Sequence, residues 1–286
     1  MTARQFALTL SCPDQPGIVA AVTTALFERG ANILEAQQHN DGEADVFFAR
    51  FGFVLRDDAP IEAVREAFAA VAERFRMQWR LREPDERTRV LLLVSKFDHC
   101  LADLLYRWRI EELPMDIVGV VSNHPRESYR HLDLSGLAFD YLPVTRETKA
   151  EQEAEIWRIV QARDVELVVL ARYMQILSSD LAGKLSGRCI NIHHSFLPGF
   201  KGARPYHQAH ARGVKVIGAT AHYVTSDLDE GPIIEQDVER VSHTDTPGDL
   251  IRKGRDVERR VLSRAVSWHL ERRIVLNGDK TVVFKN

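Results

Sequence analysis

Three short apolar runs, at residues 90–94, 117–121 and 165–170, the last interrupted at Glu166, constrain this chain more than any other feature. A continuous apolar run of this length is a strand buried on both faces, which requires cover above and below. Helical patterns over 99–110 and 147–163 separate the runs, and a short strand is expected at 141–144. Buried strands alternating with helices form a mostly parallel, doubly wound sheet, so this region is read as α/β and Rossmann-like. After residue 214 the pattern changes. Segments 216–224 and 233–241, joined by an acidic turn, are expected to run antiparallel. A long helix over 247–270 and a hairpin at Asn277-Gly278 follow.

The 286 residues suit two domains at ~150 residues each, and the first 82 differ in pattern from the rest. Strands are expected at 5–11, 33–38, 46–54 and 77–81, with a hairpin turn at His39-Asn40-Asp41-Gly42. Ile18, Val22 and Leu26 mark one helix, which Gly30 caps, and Ile61, Val64, Phe68, Val71 and Phe75 mark another. The order βαββαβ is the ferredoxin-like arrangement. Residues 1–82 are therefore assigned to one domain, the charged segment 83–88 to a linker and 89–286 to a second domain.

A net charge of −3 offers no general attraction to nucleic acid or anionic membrane. No apolar run approaches the ~18 residues of a membrane span, and the first residues lack a signal peptide's apolar core and cleavage site. Three widely spaced cysteines, Cys12, Cys100 and Cys189, indicate neither a disulfide framework nor a zinc knuckle. A cytoplasmic protein is expected.

Ionisable residues concentrate in 189–235, past the carboxyl ends of two apolar strands, where open α/β sheets bind ligands. His193, His194, His207, His210 and His222 fall here with Asp227 and Asp229, so a catalytic metal must be weighed. Adjacent His193 and His194 point to opposite faces of a strand, and no H-E-x-x-H lies on a helix. The metal-free reading takes Asn191 and His193, which share a face, with Asp229. An amide and an imidazolium can hold a developing oxyanion while a carboxylate orients or deprotonates water. The bland alternative makes Asn191 a strand-end cap, His193 a satisfied buried histidine and Asp229 a turn former. Upstream, Ser95-Lys96-Phe97-Asp98-His99-Cys100 has no glycine, so neither a dinucleotide nor an ATP phosphate loop is supported.

Two resemblances add to this reading. D-Q-P-G-I-V at Asp14 to Val19 and G-A-N-I at Gly30 to Ile33 resemble an ACT domain. The resemblance implies an amino-acid effector, such as glycine or methionine, contacting Asp14, Gln15, Pro16, Gly17, Ala31 and Asn32, and assembly as a dimer or tetramer. N-I-H-H-S-F-L-P (from Asn191), F-K-G-A-R-P-Y (from Phe200) and H-Y-V-T-S-D-L-D-E-G-P-I-I (from His222) resemble the folate-dependent formyltransferase family, as does A-R-Y-M-Q-I-L-S from Ala171. This resemblance makes Asn191, His193 and Asp229 the catalytic triad, with Asp229 proposed to deprotonate the water. It implies folate contacts at Arg172, Tyr173, Met174, Ile176, Leu177, His194, Ser195, Lys201, Gly202, His222, Asp227, Leu228 and Glu230. No metal or permanently bound cofactor is implied.

Lys96 to Cys100 depart from the glycine- and serine-containing loop with which family members that formylate a ribonucleotide hold its phosphate. The ACT module joined to S-K-F-D-H-C-L-A-D-L-L is similar instead to members that hydrolyse 10-formyltetrahydrofolate to formate and tetrahydrofolate. Formyl transfer to an amine, or a folate- or amino-acid-binding regulator without catalysis, are the alternatives.

Overall fold

The computed structural model describes residues 5–56, 59–197 and 205–285. The chain packs as two compact units: one runs through Glu86 and also takes Glu271–Asn277 and the segment from Thr281, the other is Arg87–Leu270 with Gly278–Lys280.

The first unit contains β1 (Phe6–Pro13), α1 (Ile18–Glu28), β2 (Ala31–Asp41), β3 (Val46–Leu55), α2 (Ile61–Phe75) and β4 (Gln78–Arg82). Its four-stranded antiparallel sheet has the order β2-β3-β1-β4. Ile18, Val22 and Leu26 of α1 and Val64, Phe68 and Phe75 of α2 pack with Leu8, Leu10, Phe51 and Phe53 of the sheet. Each such burial stabilises by roughly 1.5–3 kcal/mol. Gly17, at φ 92, starts α1 in a conformation that strains any side chain. The β2–β3 turn lies further along than the sequence suggests. Strand β2 continues through Asp41, whose carboxylate accepts the amides of Glu43 and Ala44, and Asp45 turns the chain at φ 54. This local side-chain turn replaces the expected one at His39 to Gly42.

The second unit contains β5 (Thr88–Val94), α3 (His99–Arg109), β6 (Met115–Ser122), β7 (Phe139–Tyr141), α4 (Lys149–Ala162) and β8 (Leu167–Leu170). It continues through α5 (Ser179–Lys184), β9 (Cys189–His193), α6 (Pro205–Ala211), β10 (Val216–Tyr223), β11 (Ile233–Arg240) and α7 (Pro247–Leu270). Its seven-stranded sheet runs β11-β10-β9-β8-β5-β6-β7. Strands β9 to β7 in that order are parallel, while β10 and β11 add antiparallel, as their changed pattern suggested. Residues 90–94 are wholly buried, which accounts for their unbroken apolar character. The sheet grows in one direction from β5 to β7 and in the other from β8 to β9. The carboxyl ends of β5 and β8 therefore form the topological switch point. Helix α5, capped by the Ser178 hydroxyl, escaped the periodicity reading because its six residues span under two turns.

The terminal hairpin of β12 (Ile274–Asn277) and β13 (Lys280–Val283) corrects the expected boundary of 89–286. Most of it belongs to the first unit. Arg50 and Arg273 are both buried, and both pair with Glu35, at 2.6 and 3.0 Å. The Thr9 hydroxyl donates to the Arg272 carbonyl at 2.7 Å, and the Asn277 amide donates to Asp41 at 2.6 Å. Two buried guanidinium groups need a carboxylate, and that requirement joins segments far apart in sequence. No described helix is long and apolar enough to cross a membrane.

Replacing Glu35→Gln leaves Arg50 without its nearest carboxylate, and the variant should lose about 3 kcal/mol of stability in this unit. Hydrogen exchange at β1 and β3 amides reads the loss, and unchanged protection would contradict it.

Candidate active site

Asn191 and His193 occupy alternate positions of β9 and so share one face. In the register with β10, His222 stands opposite Asn191 and Thr220 opposite His193. The turn between β10 and β11 returns Asp229 to this face. Its Oδ2 lies 3.2 Å from His193 Nδ1, and its Oδ1 lies 3.7 Å from His222 Nε2. Asp229 adopts φ 58, a left-handed conformation that aspartate tolerates better than most residues. Gly231 makes the turn possible. A Cβ there would lie 1.8 Å from the Tyr223 carbonyl oxygen, so any side chain would push the turn off β10.

Hydrogen bonds fix the orientation of these groups. His222 Nδ1 is 2.9 Å from the Tyr223 carbonyl oxygen, an acceptor, so Nδ1 carries a proton. Its Nε2 faces two groups, the Asn191 amide at 3.2 Å and Asp229 Oδ1 at 3.7 Å, and Asn191 keeps an amide N–H for another partner. Likewise, the Asp229 carboxylate accepts a hydrogen bond from His193 Nδ1–H. His193 Nε2 is buried without a partner among the described residues.

Burial raises the Asp229 carboxyl, but hydrogen bonds from His193 and then His222 prevail and hold it well below the usual carboxylate range. The neighbouring His194 lies past the end of β9, so it stacks on His193 at 5.2 Å instead of taking the opposite face expected from alternation, and it behaves differently. Burial and then the Arg172 guanidinium push its imidazole down to about 4, so it is neutral at pH 7.

A cavity of about 360 Å³ opens over these groups. Of the residues expected to contact substrate, Arg172, Tyr173, Met174, Ile176, Leu177, His194, His222, Asp227 and Leu228 line it beside Asn191, His193 and Asp229. Ser195 and Glu230 do not. The Ser195 carbonyl instead accepts the buried Thr220 hydroxyl at 3.0 Å, and Glu230 is exposed within the turn. Lys201 and Gly202 lie outside the described residues. Tyr173 is largely core, its hydroxyl pushed up to about 12 by burial. The cavity wall also includes Gln175, Ile192 and Val224 to Ser226, which the sequence reading missed. Their adjacency to the singled-out motifs was the available signal.

Among the described residues, the grouping with metal-ligand spacing is His99, Cys100 and Glu258. Arg172 Nε stands 3.3 Å from Glu258, so a fixed cation already occupies that neighbourhood. In the first unit, a second cavity of about 530 Å³ is lined by Asp14, Gln15 and Gly17 together with Gln38, His39 and Asn40. Pro16 is exposed and is not on its wall. Ala31 and Asn32 pair within the sheet, opposite Leu55 and Val54, and stand apart from that wall too.

Comparison with known proteins agrees with both units. Residues 88–266 match the formyl transferase family model and residues 6–73 the ACT domain model. The chain is 51% identical over 281 residues to a formyltetrahydrofolate deformylase of Corynebacterium sp. (strain P-1), covering 97% of each chain. It is similar to the crystal structure of formyltetrahydrofolate deformylase from Burkholderia mallei, with a TM-score of 0.92, 54% identity and coverage of 99% and 100%. A glycinamide ribonucleotide transformylase from Symbiobacterium toebii matches 70% of this chain and 95% of its own at a TM-score of 0.63 and 30% identity.

The depressed Asp229 carboxyl has a consequence for stability. Its contribution is present in full above the unfolded carboxyl's value of ~3.9 and is lost as the pH falls below that towards the folded value. Between pH 5 and pH 3 the unfolding temperature should therefore fall more steeply for the native chain than for Asp229→Asn. Parallel slopes would show that the carboxylate is not held by the histidines.

Proposed function

The chain belongs to the formyltetrahydrofolate deformylase family, and we propose that His193, held by Asp229, delivers water to the formyl group of its substrate. The enzyme hydrolyses 10-formyltetrahydrofolate to formate and tetrahydrofolate. The observation that carries the catalytic reading is the unpartnered His193 Nε2 beside the cavity, with Nδ1 committed to a carboxylate.

A carboxyl depressed as far as that of Asp229 is a weak base. This favours His193 over Asp229, the acceptor expected from sequence, as the group that takes the proton of water. In the proposed step, water adds to the formyl carbon as its proton passes to His193 Nε2, and Asp229 stabilises the resulting imidazolium. The second Asn191 N–H supports the oxyanion. As the oxyanion collapses, the bond between carbon and N10 breaks and His193 returns its proton to N10. Formic acid leaves and ionises in water. These groups supply the step without a metal. Met174, Ile176 and Leu228 are exposed apolar side chains on the cavity wall, a surface suited to the flat rings of a folate.

The first unit carries a separate proposal. Its open cavity at Asp14, Gln15 and Gly17 would take a small amino acid, glycine or methionine, between paired modules of a dimer or tetramer. The three cysteines are free and buried, which suits the reducing cytoplasm.

Incubation with 10-formyltetrahydrofolate and no acceptor should release formate. Replacing His193→Gln or Asp229→Asn should slow release by roughly 10²–10⁴-fold, the usual contribution of an acid–base group. A folded variant with near-native turnover would remove that residue from the step. Calorimetry on the full-length protein should detect glycine or methionine binding, lost in Asp14→Ala. No heat with either amino acid would count against the effector site.

A further inference from the structure

The crevice at the carboxyl ends of β5 and β8 is where a doubly wound sheet takes a ligand, and here two buried side chains, Arg172 and Glu258, meet just past β8. Arg172 lies just past β8 at φ 65, an uncommon conformation for a long side chain. Its guanidinium is buried against Glu258 of α7, Nε to Oε2, at 3.3 Å. Glu258, also buried, accepts from His99 Nε2 at 2.8 Å and from the Tyr206 hydroxyl at 2.6 Å. Side chains from α3 and α6 thus meet on Glu258 of α7, which in turn faces the residue that leaves β8. The Phe97 ring lies 5.9 Å from the Arg172 guanidinium on one contact and 5.9 Å from that of Arg255 on another.

The strand ends are also laced together. The Ser95 amide donates to the Arg172 carbonyl at 3.3 Å, and the Met174 amide donates to the Ser95 hydroxyl at 3.0 Å. At Gly254, a Cβ would stand 2.1 Å from the Tyr206 hydroxyl, so α7 packs directly on the cluster.

Buried charges are costly, and an apolar filling is often as stable, so stability alone is weak grounds for such a cluster. Its position suggests a use. His194 stands between the catalytic histidine and Tyr206, with ring centroids 5.2 Å from His193 and 6.4 Å from Tyr206. Arg172 belongs both to the cluster and to the cavity wall. A second substrate approaching the formyl carbon from the switch point would have to displace these side chains; water would not.

We propose that the cluster of Arg172, Glu258, His99 and Tyr206 is the acceptor-selecting element of this enzyme, closing the switch-point crevice to amines so that water alone reaches the formyl carbon. The proposal rests on the hydrolysis reading above and adds the reason for it. With the crevice open, an amine nitrogen would bond to the formyl carbon as the bond to N10 breaks. The amine's proton would pass to N10, leaving an N-formyl amine and tetrahydrofolate.

The test is a product partition on the full-length protein, with 10-formyltetrahydrofolate and a large excess of glycinamide as the probe amine. Formate and N-formylglycinamide are both quantified by mass spectrometry. The native enzyme should yield formate alone. Arg172→Gly, which suits the left-handed backbone, and His99→Ala should each raise the N-formyl share by about tenfold or more over the native background, the scale of a pocket-size discrimination. Because the readout is a ratio, a general loss of activity does not move it. Formate as the sole product from both variants, folded by circular dichroism and still turning over, would overturn the proposal while leaving the hydrolysis reading intact. An N-formyl share as large in the native enzyme as in the variants would do the same. Absence of formate from the native enzyme without glycinamide would remove the hydrolysis reading and this proposal together.

Discussion

The contact between His193 Nδ1 and Asp229 Oδ2 sets the requirements that the catalytic unit meets. A carboxylate in a half-buried crevice is stable only when donors surround it. Those donors come from neighbouring strands, His193 from β9 and His222 from β10, and the carboxylate comes from the turn that follows. A parallel β10 would enter the sheet after a crossover and send its carboxyl-end turn in the same direction as the others. The antiparallel addition places His222 opposite Asn191 and returns the chain at Pro232 beside Tyr223, whose amide donates to the Pro232 carbonyl at 2.9 Å. Gly231 is required because this return runs against the backbone of β10. The abrupt end of the buried-run pattern near residue 214 is therefore part of the site's construction.

What the sequence revealed depended on the distance between interacting residues. Residues 90–94 announce a buried strand through their own composition, and the two amphipathic helices of the first unit do so through spacing. Asn191, His193 and Asp229 were legible because alternation put the first two on one face and because the motifs resemble a known family. The β2–β3 turn was misplaced because Asp41 has two local options, turn position or strand end, and its side chain decides between them by capturing two amides. The terminal hairpin was assigned to the wrong unit for a different reason. Nothing near Arg273 indicates that its partner is Glu35, which already serves Arg50. Likewise, Arg172 reads as one more residue of a folate-binding motif until Glu258 is seen beside it.

Asp229 and Glu258 show how two carboxylates in one unit, the first half-buried and the second buried, can serve different ends. Burial raises both, and in both the donors reverse the effect: His193 and then His222 for Asp229, His99 and then Arg172 for Glu258. Both are therefore anions of low basicity. They differ in what their partners have left to offer. His193 gives one ring nitrogen to Asp229 and keeps the other without a partner at the cavity. Around Glu258, His99 and the Tyr206 hydroxyl point their protons inward at the carboxylate. The first arrangement passes orientation on to a group that can move a proton. In the second, the protons of His99 and Tyr206 are committed to the carboxylate, and among the described residues it is Arg172 Nη1 that is left without a partner.

That difference bears on how a formyl-transfer fold comes to use water. Activation of the formyl group requires an oxyanion partner and a proton carrier, and Asn191 and His193 can serve any nucleophile that reaches the carbon. Selection must then come from access. Concentration favours water, at ~55 M in bulk, over any dissolved amine, but bound amines gain effective molarities of up to 10⁵–10⁸ M. Hydrolysis can compete only if such binding is denied. A closed crevice does this at the switch point, where the fold otherwise offers a pocket, and the polar character of the filling suits that position. Neutral apolar side chains would leave a hydrophobic lining into which a substrate could pack. Glu258 already accepts from His99 and Tyr206 and faces the Arg172 guanidinium, so its carboxylate has little left for the N–H groups of an incoming amine.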